Sequence, residues 1–175
     1  KVSLAVPNGV RPIVQSKCIP EVMVLPLENL GSINLQSYDV VAVGPGLGRT
    51  DEAKVLVNSL LERQSGHMVI DADGLYALGT IGHVYAHGDK TITYEGNMQF
   101  KNCIMTPHLG EFSRLIDTSI NFIEKHYVEL AIQFAVAHNV VLVLKGIPSL
   151  VAFPTGEVYI NMIGNPGMGT GGMGD

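Results

Sequence analysis

The residues whose types and spacing most clearly suggest chemistry form a glycine-rich segment, Gly164 to Asp175. Six glycines fall between Gly164 and Gly174, and Asp175 follows them. Successive backbone N–H groups with no side chains between them can bind an anion such as a phosphate group. A carboxylate beside them could take the proton from an attacking hydroxyl while the N–H groups stabilise the transferring phosphoryl group. The segment therefore predicts phosphoryl transfer from a nucleotide to an alcohol, with a flexible glycine tail as the structural alternative.

The segment matches neither of two common phosphate-binding motifs well. It lacks the Gly-Lys-Ser/Thr step of a Walker A loop. A G-x-G-x-x-G string occurs at Gly167, Gly169 and Gly172. Such strings arise by chance where half the residues are glycine, and no predicted strand leads directly into this one. The phosphate site is therefore predicted from the backbone that glycine exposes, not from a named motif.

Four further groups of polar residues or glycines follow predicted strands. In an open α/β sheet, ligands bind at the carboxyl ends of the strands, so functional residues are expected there. In chain order the groups are Gly44-Pro45-Gly46-Leu47-Gly48, Asp71-Ala72-Asp73-Gly74-Leu75, Thr106-Pro107-His108-Leu109-Gly110-Glu111 and Lys145-Gly146.

The first two groups each have a functional and a structural interpretation. The glycines from Gly44 to Gly48 let a backbone approach a ligand and present N–H groups at a helix start, or they form a tight turn alone. Asp71 and Asp73 place two carboxylates at a strand end. Alternatively, Asp73 caps the following helix and hydrogen bonds hold Asp71.

The other two groups add a histidine, an acid and a lysine. Thr106 or His108 precedes a predicted helix, and Glu111 falls in its first turn. A lone histidine is more often structural, but a histidine beside glycine and glutamate at a strand end favours ligand binding. Lys145 ends a strand where it could meet an anionic ligand, or it is simply solvated.

Alternating strands and helices must position these residues. Continuous apolar runs are typical of strands buried on both faces, and amphipathic stripes predict helices between them. The fold class is therefore α/β, with a mainly parallel sheet and crossover helices on both faces. The predicted strands are Val40–Val43, Met68–Asp71, Ile104–Thr106 and Val140–Leu144, and the helices are Asp51–Arg63, with Thr50 as its N-cap, and one that starts near Asn121 and carries an apolar stripe to Phe134.

Three other segments complete the predicted organisation. Residues 2–6 form a first strand that proline ends. Residues 150–153 and 158–161 form a C-terminal β-hairpin with a turn at Thr155-Gly156. Residues 83–102 are polar and poorly periodic, which predicts a long surface connection or lid with a short strand at 91–94.

Composition narrows the class of protein. The 175 residues are 46% hydrophobic, which allows one domain with a core and excludes disordered, collagen-like and coiled-coil chains. A net charge of −5 without a basic block argues against nucleic acid or an anionic membrane as partner. Polar residues interrupt the most apolar stretch, 128–144, so no membrane span is predicted. Cys18 and Cys103 each sit beside apolar residues, which favours free thiols in a reducing cytoplasm, and no metal-ligand spacing is present.

The four groups and the glycine segment, in this order, closely resemble the ADP/ATP-dependent NAD(P)H-hydrate dehydratases, a branch of the ribokinase-like superfamily. The similarity extends from Lys1 to Asp175. It implies a single ribokinase-like domain over residues 1–175. Family members are usually longer at both ends, so the resemblance also implies that the chain is a fragment of a longer domain.

The resemblance implies a repair reaction in which hydrated NADH or NADPH is dehydrated with consumption of ADP or ATP. Asp175 matches the catalytic aspartate, which would deprotonate the ring hydroxyl for attack on the terminal phosphoryl group; loss of phosphate then restores the double bond. The positions that match substrate-binding residues are Gly46, Gly48, Asp73, His108, Gly110, Glu111 and Asp175. Those that match nucleotide-binding residues are Lys145, Gly146, Ile147, Pro148, Ser149, Asn165, Gly169, Thr170, Gly171, Gly172, Met173 and Gly174.

The resemblance also implies partners. Mg²⁺ is expected with the nucleotide, held by phosphate oxygens and waters, and no protein ligand for it is assigned. A homo-oligomer, a tetramer by resemblance, and a fused or separate NAD(P)H-hydrate epimerase are expected as well. Two alternatives stay open: a small-molecule alcohol kinase of the same superfamily and a non-catalytic nucleotide-binding module. The motif from Thr106 to Glu111 favours the dehydratase.

Overall fold

The computed structural model describes residues 2–28, 34–63, 66–87, 91–96 and 98–163. The chain divides into two compact units, Lys1–Ser37 and Tyr38–Asp175, and each is described by itself. The single domain expected over residues 1–175 stays a prediction.

The first unit is a small β-α-β arrangement. Strand β1 (Val2–Val6), helix α1 (Arg11–Lys17) and strand β2 (Val22–Pro26) follow one another, and the two strands pair in parallel. Proline at the second helical position suits the start of α1, where the missing N–H group would have no helical partner. The predicted first strand is therefore confirmed, and a short 3₁₀ turn, Leu35–Ser37, ends the unit.

The second unit contains eight strands and five helices among its described residues. The strands are β3 (Val40–Val43), β4 (His67–Ile70), β5 (Gly82–His87), β6 (Thr91–Gly96), β7 (Cys103–Met105), β8 (Val140–Leu144), β9 (Ser149–Ala152) and β10 (Val158–Asn161). The helices are α2 (Asp51–Arg63), α3 (Ala72–Leu78), α4 (Leu109–Leu115), α5 (Ile120–Lys125) and α6 (Tyr127–His138).

Six of these strands form one sheet in the order β10-β9-β8-β7-β4-β3. Strands β3, β4, β7 and β8 are parallel, and β9 and β10 add an antiparallel hairpin at one edge. Gly156 adopts a φ of 87° in the hairpin turn, which favours glycine. The predicted α/β class, the mainly parallel sheet and the C-terminal hairpin are confirmed.

Helix α2 starts and ends as predicted. The hydroxyl of Thr50 accepts a hydrogen bond from the N–H of Ala53 at 3.3 Å, which confirms the predicted N-cap. Aromatic rings fill the core farther along the chain: Phe112 of α4 and Phe134 of α6 are fully buried, with ring centres 5.2 Å apart in an edge-to-face arrangement.

The helix predicted to start near Asn121 starts one residue earlier, at Ile120, so its start is confirmed, but it is not continuous to Phe134. The hydroxyl of Ser119 caps α5 by accepting from the N–H of Phe122. The chain leaves the helical conformation at His126, and α6 begins at the next residue. One apolar stripe runs through both helices, so the periodicity did not reveal the break.

The segment 83–102 is also different from its prediction as a long surface connection or lid. It forms an antiparallel hairpin of β5 and β6, and the predicted short strand lies within β6. Ile92 and Phe100 are buried, and the ring of Tyr94 packs against Phe134 of α6. The segment thus covers α6, and its few apolar residues gave too weak a periodicity to predict the first strand.

In the described parts of the chain, every helix is too short or too polar to cross a membrane.

Candidate functional site

The site lies at the carboxyl ends of the four parallel strands. Backbone hydrogen bonds continue past the strand ends: Asp71 N–H donates to Val43 O at 3.1 Å, and Lys145 N–H donates to Pro107 O at 2.8 Å. His108 and Lys145 form an isolated parallel β-bridge. The four groups predicted at the strand ends therefore lie together at the carboxyl-terminal end of the sheet.

The glycine turn after β3 is joined to the start of α3 through Asp73. One carboxylate oxygen of Asp73 accepts from the N–H of Gly48 at 3.0 Å, and the other accepts from Nε of Arg49 at 3.1 Å. Gly46 and Gly48 have φ values of 70° and 83°, so the turn needs glycine at both positions. Asp73 thus holds the turn and does not cap the helix, which corrects that alternative.

Asp71 and Lys145 form an ion pair at the carboxyl ends of the strands. The Lys145 Nζ donates to Oδ1 of Asp71 at 2.8 Å, and Asp71 is 8% exposed. Asp71 occupies the N-cap position of α3, but its side chain makes no capping hydrogen bond. The next residue, Ala72, has a φ of 46°, a left-handed conformation that costs energy for a residue with a side chain.

Two glycines allow the ends of β3 and β4 to approach closely. A Cβ atom added to Gly44 would lie 1.7 Å from the carbonyl oxygen of Asp71, and one added to Gly74 would lie 2.8 Å from that of Val43. Both contacts are to backbone, which cannot move aside as a flexible side chain can. Because Gly44 and Gly74 have no side chains, the two backbone segments pack directly against each other, and this contact fixes the position of Asp71.

His108 and Glu111 form a capping box at the start of α4. Nδ1 of His108 accepts from the N–H groups of Gly110 at 3.0 Å and Glu111 at 3.2 Å, and Oε2 of Glu111 accepts from the N–H of His108 at 2.8 Å. With Nδ1 as acceptor, the neutral ring carries its proton on Nε2. Nε2 lies 3.5 Å from Oε1 of Glu111, and the His108 side chain is 59% exposed, so the ring faces a carboxylate and is also accessible to a ligand.

The loop from Lys145 to Ser149 is held by hydrogen bonds to its backbone. The hydroxyl of Tyr127 lies 3.3 Å from the carbonyl oxygen of Leu144 and 3.0 Å from that of Pro148. Burial raises the pKa of Tyr127, so its hydroxyl remains a donor. The Ser149 hydroxyl donates to Gly146 O at 2.7 Å, and the Ile147 side chain is 72% exposed. The loop thus presents an apolar side chain next to a cation.

A cavity of about 360 Å³ lies at the strand ends beside the Asp71–Lys145 pair. Its floor is apolar, and its polar groups are the Asp71–Lys145 pair and Thr106. The lining residues are Ala42, Val43, Pro45, Val69, Asp71, Thr106, Val143 and Lys145. A mostly apolar pocket with a few polar groups is typical of small-molecule sites.

The structure brings together most of the predicted site residues. Those at the strand ends are Gly46, Gly48, Asp73, His108, Gly110, Glu111 and Lys145 to Ser149. The predicted residues Asn165, Gly169 to Gly174 and Asp175 lie outside the described residues. Within the described ranges, no group of three or more His, Cys, Asp or Glu residues could hold a metal ion.

Sequence reasoning missed two contacts of the site, the ion pair of Asp71 with Lys145 and the hydrogen bond of Arg49 to Asp73. The position of Arg49, directly after Gly48, was the available signal for one of them.

The sequence pattern of one family, described as NAD(P)H-hydrate dehydratase, matches residues 10–175. The chain belongs to this family. The resemblance in the sequence motifs is thereby confirmed.

Individual relatives agree with the family assignment. The bifunctional NAD(P)H-hydrate repair enzyme Nnr of Moorella thermoacetica is 38% identical over 188 residues, covering 99% of this chain and 33% of the relative. The ADP-dependent (S)-NAD(P)H-hydrate dehydratase of Listeria monocytogenes is 32% identical over 169 residues, covering 94% of this chain and 54% of the relative. The chain thus spans about a third of the bifunctional relative and about half of the other.

A solved structure has the same fold. The ADP/ATP-dependent NAD(P)H-hydrate dehydratase of Bacillus subtilis, co-crystallised with ATP/Mg²⁺ and soaked with CoA, superposes with a TM-score of 0.74 at 27% identity. The match covers 98% of this chain and 58% of that one.

Proposed function

We propose that the protein dehydrates hydrated NADH or NADPH to the working cofactor, with ADP or ATP as phosphoryl donor. The observation that carries the proposal is the β-bridge between His108 and Lys145. It puts the predicted dinucleotide-binding residues directly beside the predicted nucleotide-binding loop. A transfer between two bound substrates requires such proximity, because the reacting atoms must lie in contact.

The proposed chemistry makes hydroxide a better leaving group. Asp175 takes the proton from the hydroxyl on the hydrated ring, and the oxygen attacks the terminal phosphoryl group of the nucleotide. The nucleotide leaves with one phosphate fewer. The C–O bond of the phosphorylated ring then breaks as the ring nitrogen lone pair expels phosphate, and loss of a proton from the adjacent ring carbon to water restores the double bond. The N–H groups from Thr170 to Gly174 stabilise the charge on the transferring group. The proton on Nε2 of His108 is available to orient the hydrated dinucleotide.

ADP or ATP is expected to arrive with Mg²⁺. The Bacillus subtilis relative was co-crystallised with ATP/Mg²⁺. Bound Mg²⁺ neutralises phosphate charge and keeps several waters, so it needs few protein ligands. Lys145 supplies a fixed cation for the same phosphates, and the exposed Ile147 offers an apolar contact for the nucleotide base.

The wider assembly is also a proposal. The Moorella thermoacetica relative is bifunctional, which supports the expectation of a fused or separate epimerase that supplies the correct hydrate. A homotetramer remains the expected assembly. A reducing cytoplasm, in which Cys18 and Cys103 stay free thiols, is the expected location of the protein.

The test is to incubate the full-length protein with hydrated NADH and ADP or ATP while recording the absorbance of reduced nicotinamide. We expect recovery of NADH only with the nucleotide. Replacing Asp175 by Asn should lower kcat by a factor on the order of 10² to 10⁴, as for loss of a general base, and leave nucleotide binding nearly unchanged.

Asp51→Asn is the matched control, since Asp51 is 89% exposed on α2 and should leave kcat at the wild-type value. Absence of NADH recovery with the wild-type protein would refute the dehydratase proposal. Accumulation of a phosphorylated alcohol from another substrate would instead identify a kinase.

A further inference from the structure

Two arginine side chains converge on one aromatic ring beside the glycine turn. The Cζ atoms of Arg49 and Arg114 lie 4.8 Å and 4.4 Å from the centre of the Tyr76 ring. Arg49 follows Gly48 in the turn, Tyr76 belongs to α3, and Arg114 belongs to α4. Three separate parts of the chain therefore build this group, which we call the arginine cluster.

The charge of the arginine cluster is only partly balanced within the described residues. Asp73 pairs with Arg49 at 3.1 Å. Nε and Nη2 of Arg114 are buried and have no hydrogen-bond partner among the described residues. Contact with an aromatic ring gives a cation a modest stabilisation, whereas buried guanidinium N–H groups without acceptors cost energy. An oxyanion bound beside Arg114 would balance the charge of its guanidinium group and supply hydrogen-bond acceptors.

The chemistry of guanidinium groups indicates which oxyanion fits. Their planar donor forks match the oxygens of phosphate groups, often with two hydrogen bonds at once. Asp73 also connects the arginine cluster to the proposed substrate site, since it holds Gly48 with one oxygen and Arg49 with the other. Gly48 and Arg49 are neighbours in the chain, so a ligand whose ring lies at Gly48 is bound beside the arginine cluster.

We propose that Arg49, Tyr76 and Arg114 form a subsite for a phosphate group of the hydrated dinucleotide, remote from the reacting ring. The proposal rests on the function proposed above. The two forms of the substrate share a pyrophosphate, and the NADPH form carries an additional phosphate on its adenosine. The subsite binds one of these two groups, and the pattern of losses between the two substrates identifies it.

The experiment compares Arg114→Gln and Arg49→Gln with the wild-type full-length protein, using hydrated NADH and hydrated NADPH at saturating ADP or ATP. We expect KM to rise roughly tenfold or more in each variant, because a hydrogen bond to a charged group contributes this much to binding. The values of kcat and of KM for the nucleotide should stay unchanged, since the interaction is the same in the ground and transition states. An equal rise in KM for the two hydrates identifies the pyrophosphate as the bound group. A rise in KM for hydrated NADPH alone identifies the additional phosphate.

Two further variants separate binding from folding. Arg114→Lys keeps the charge and the long stem, and should retain part of the affinity. Lys125→Gln removes an exposed positive charge from α5 and should change neither KM. An unchanged KM for both substrates in Arg114→Gln and Arg49→Gln would overturn the proposal.

A direct binding measurement tests the phosphate subsite independently of the dehydratase activity. Phosphorus NMR of inorganic pyrophosphate, recorded with saturating ADP to occupy the nucleotide site, should show binding by the wild-type protein and loss in Arg114→Gln. If the wild-type protein binds pyrophosphate in this way but does not dehydrate either hydrate, only the proposed function fails. If pyrophosphate binds equally to wild-type and variant, the subsite is wrong. If it binds to neither, the subsite is wrong unless KM for hydrated NADPH alone has risen in Arg114→Gln, which identifies the additional phosphate.

Discussion

The ion pair of Asp71 and Lys145 is the best-defined charged contact of the site. Asp71 is buried at the end of β4, and Lys145, with a side chain 28% exposed, approaches it from the end of β8. Both side chains line the cavity. Because Asp71 is fixed by close backbone contacts, it sets where the Lys145 ammonium group lies.

Replacing Lys145 by Met tests the energetic role of this pair. The change leaves the Asp71 carboxylate buried without its partner, so we expect a loss of about 2 kcal/mol in the free energy of unfolding, below the usual cost for a fully buried pair because Lys145 is partly exposed. Urea unfolding followed by circular dichroism measures it. Lys54→Met, which breaks the exposed pair with Asp51 on α2, is the control and should be close to neutral. Equal stabilities for the two variants would contradict this view of the pair.

Local contacts at the residue scale were predictable, and distant ones were not. His108 and Glu111 are three residues apart, so the helix that follows brings them together in the capping box, and their spacing indicates it. Asp71 and Lys145 are separated by 74 positions. Nothing in a single sequence pairs them, because any strand-end lysine could have been solvated.

At the scale of elements, the junction of β3 with α3 depends on Gly44 and Gly74. Each glycine lies against the backbone of the other segment. Gly74 is nevertheless inside a helix, where glycine is unfavourable by about 1 kcal/mol relative to alanine. Close approach of the two backbones therefore outweighs helix propensity at this position.

Gly74→Ala should destabilise the protein although it introduces a better helix former. A Cβ atom 2.8 Å from Val43 O forces the two segments apart, and overpacking of this kind costs about 1–3 kcal/mol. We expect a lower thermal midpoint and weaker binding of the hydrated dinucleotide, both measurable by calorimetry. Gly9→Ala is the control, because its Cβ would meet no described atom within 4 Å. A midpoint for Gly74→Ala at or above the wild-type value would show that the junction adjusts freely.

The sequence predicted the elements of the sheet better than the connections between them. Strand β8 and helix α2 have the predicted bounds because a buried parallel strand is a continuous apolar run and a capped amphipathic helix has clear ends. Hairpin β5–β6 covers α6 with few apolar residues: the ring of Tyr94 packs against Phe134, and the carbonyl oxygen of Ile92 accepts from Nε2 of Gln133 at 3.2 Å. Such a segment has weak periodicity, so only the tertiary contact distinguishes it from a loop.

At the scale of the whole molecule, the proposed binding of anionic substrates depends on backbone N–H groups and a few cations. The chain carries a net charge of −5, yet the arginine cluster and Lys145 place cations at one edge of the sheet. The glycine segment adds N–H groups by prediction. A negative protein can therefore bind negative substrates if its few cations are concentrated where the strands end.

Stability should also depend on pH through one buried histidine. His138 is fully buried at the end of α6. Its Nδ1–H donates to Met98 O at 2.5 Å, and its Nε2 accepts from the Tyr94 hydroxyl at 2.5 Å. Burial among Phe100, Phe134 and Tyr94 lowers the pKa of His138 below its ordinary value near 6.5. The folded protein thus holds a neutral imidazole that the unfolded chain protonates more readily.

The sign of the pH effect follows from proton binding in the two states. Below about pH 6.5 the unfolded chain binds a proton at His138 that the folded protein does not, so the free energy of unfolding falls as the pH falls, until the pH reaches the folded pKa. Urea unfolding between about pH 7.5 and pH 5.5 should show this loss in the wild-type protein, at about 1.4 kcal/mol for each unit by which the pKa is lowered. His138→Gln should remove this part of the pH dependence whatever its own stability, whereas His67→Gln, at an exposed position of β4, should retain it. If His138→Gln and wild-type protein lose stability in parallel over this range, another group is responsible.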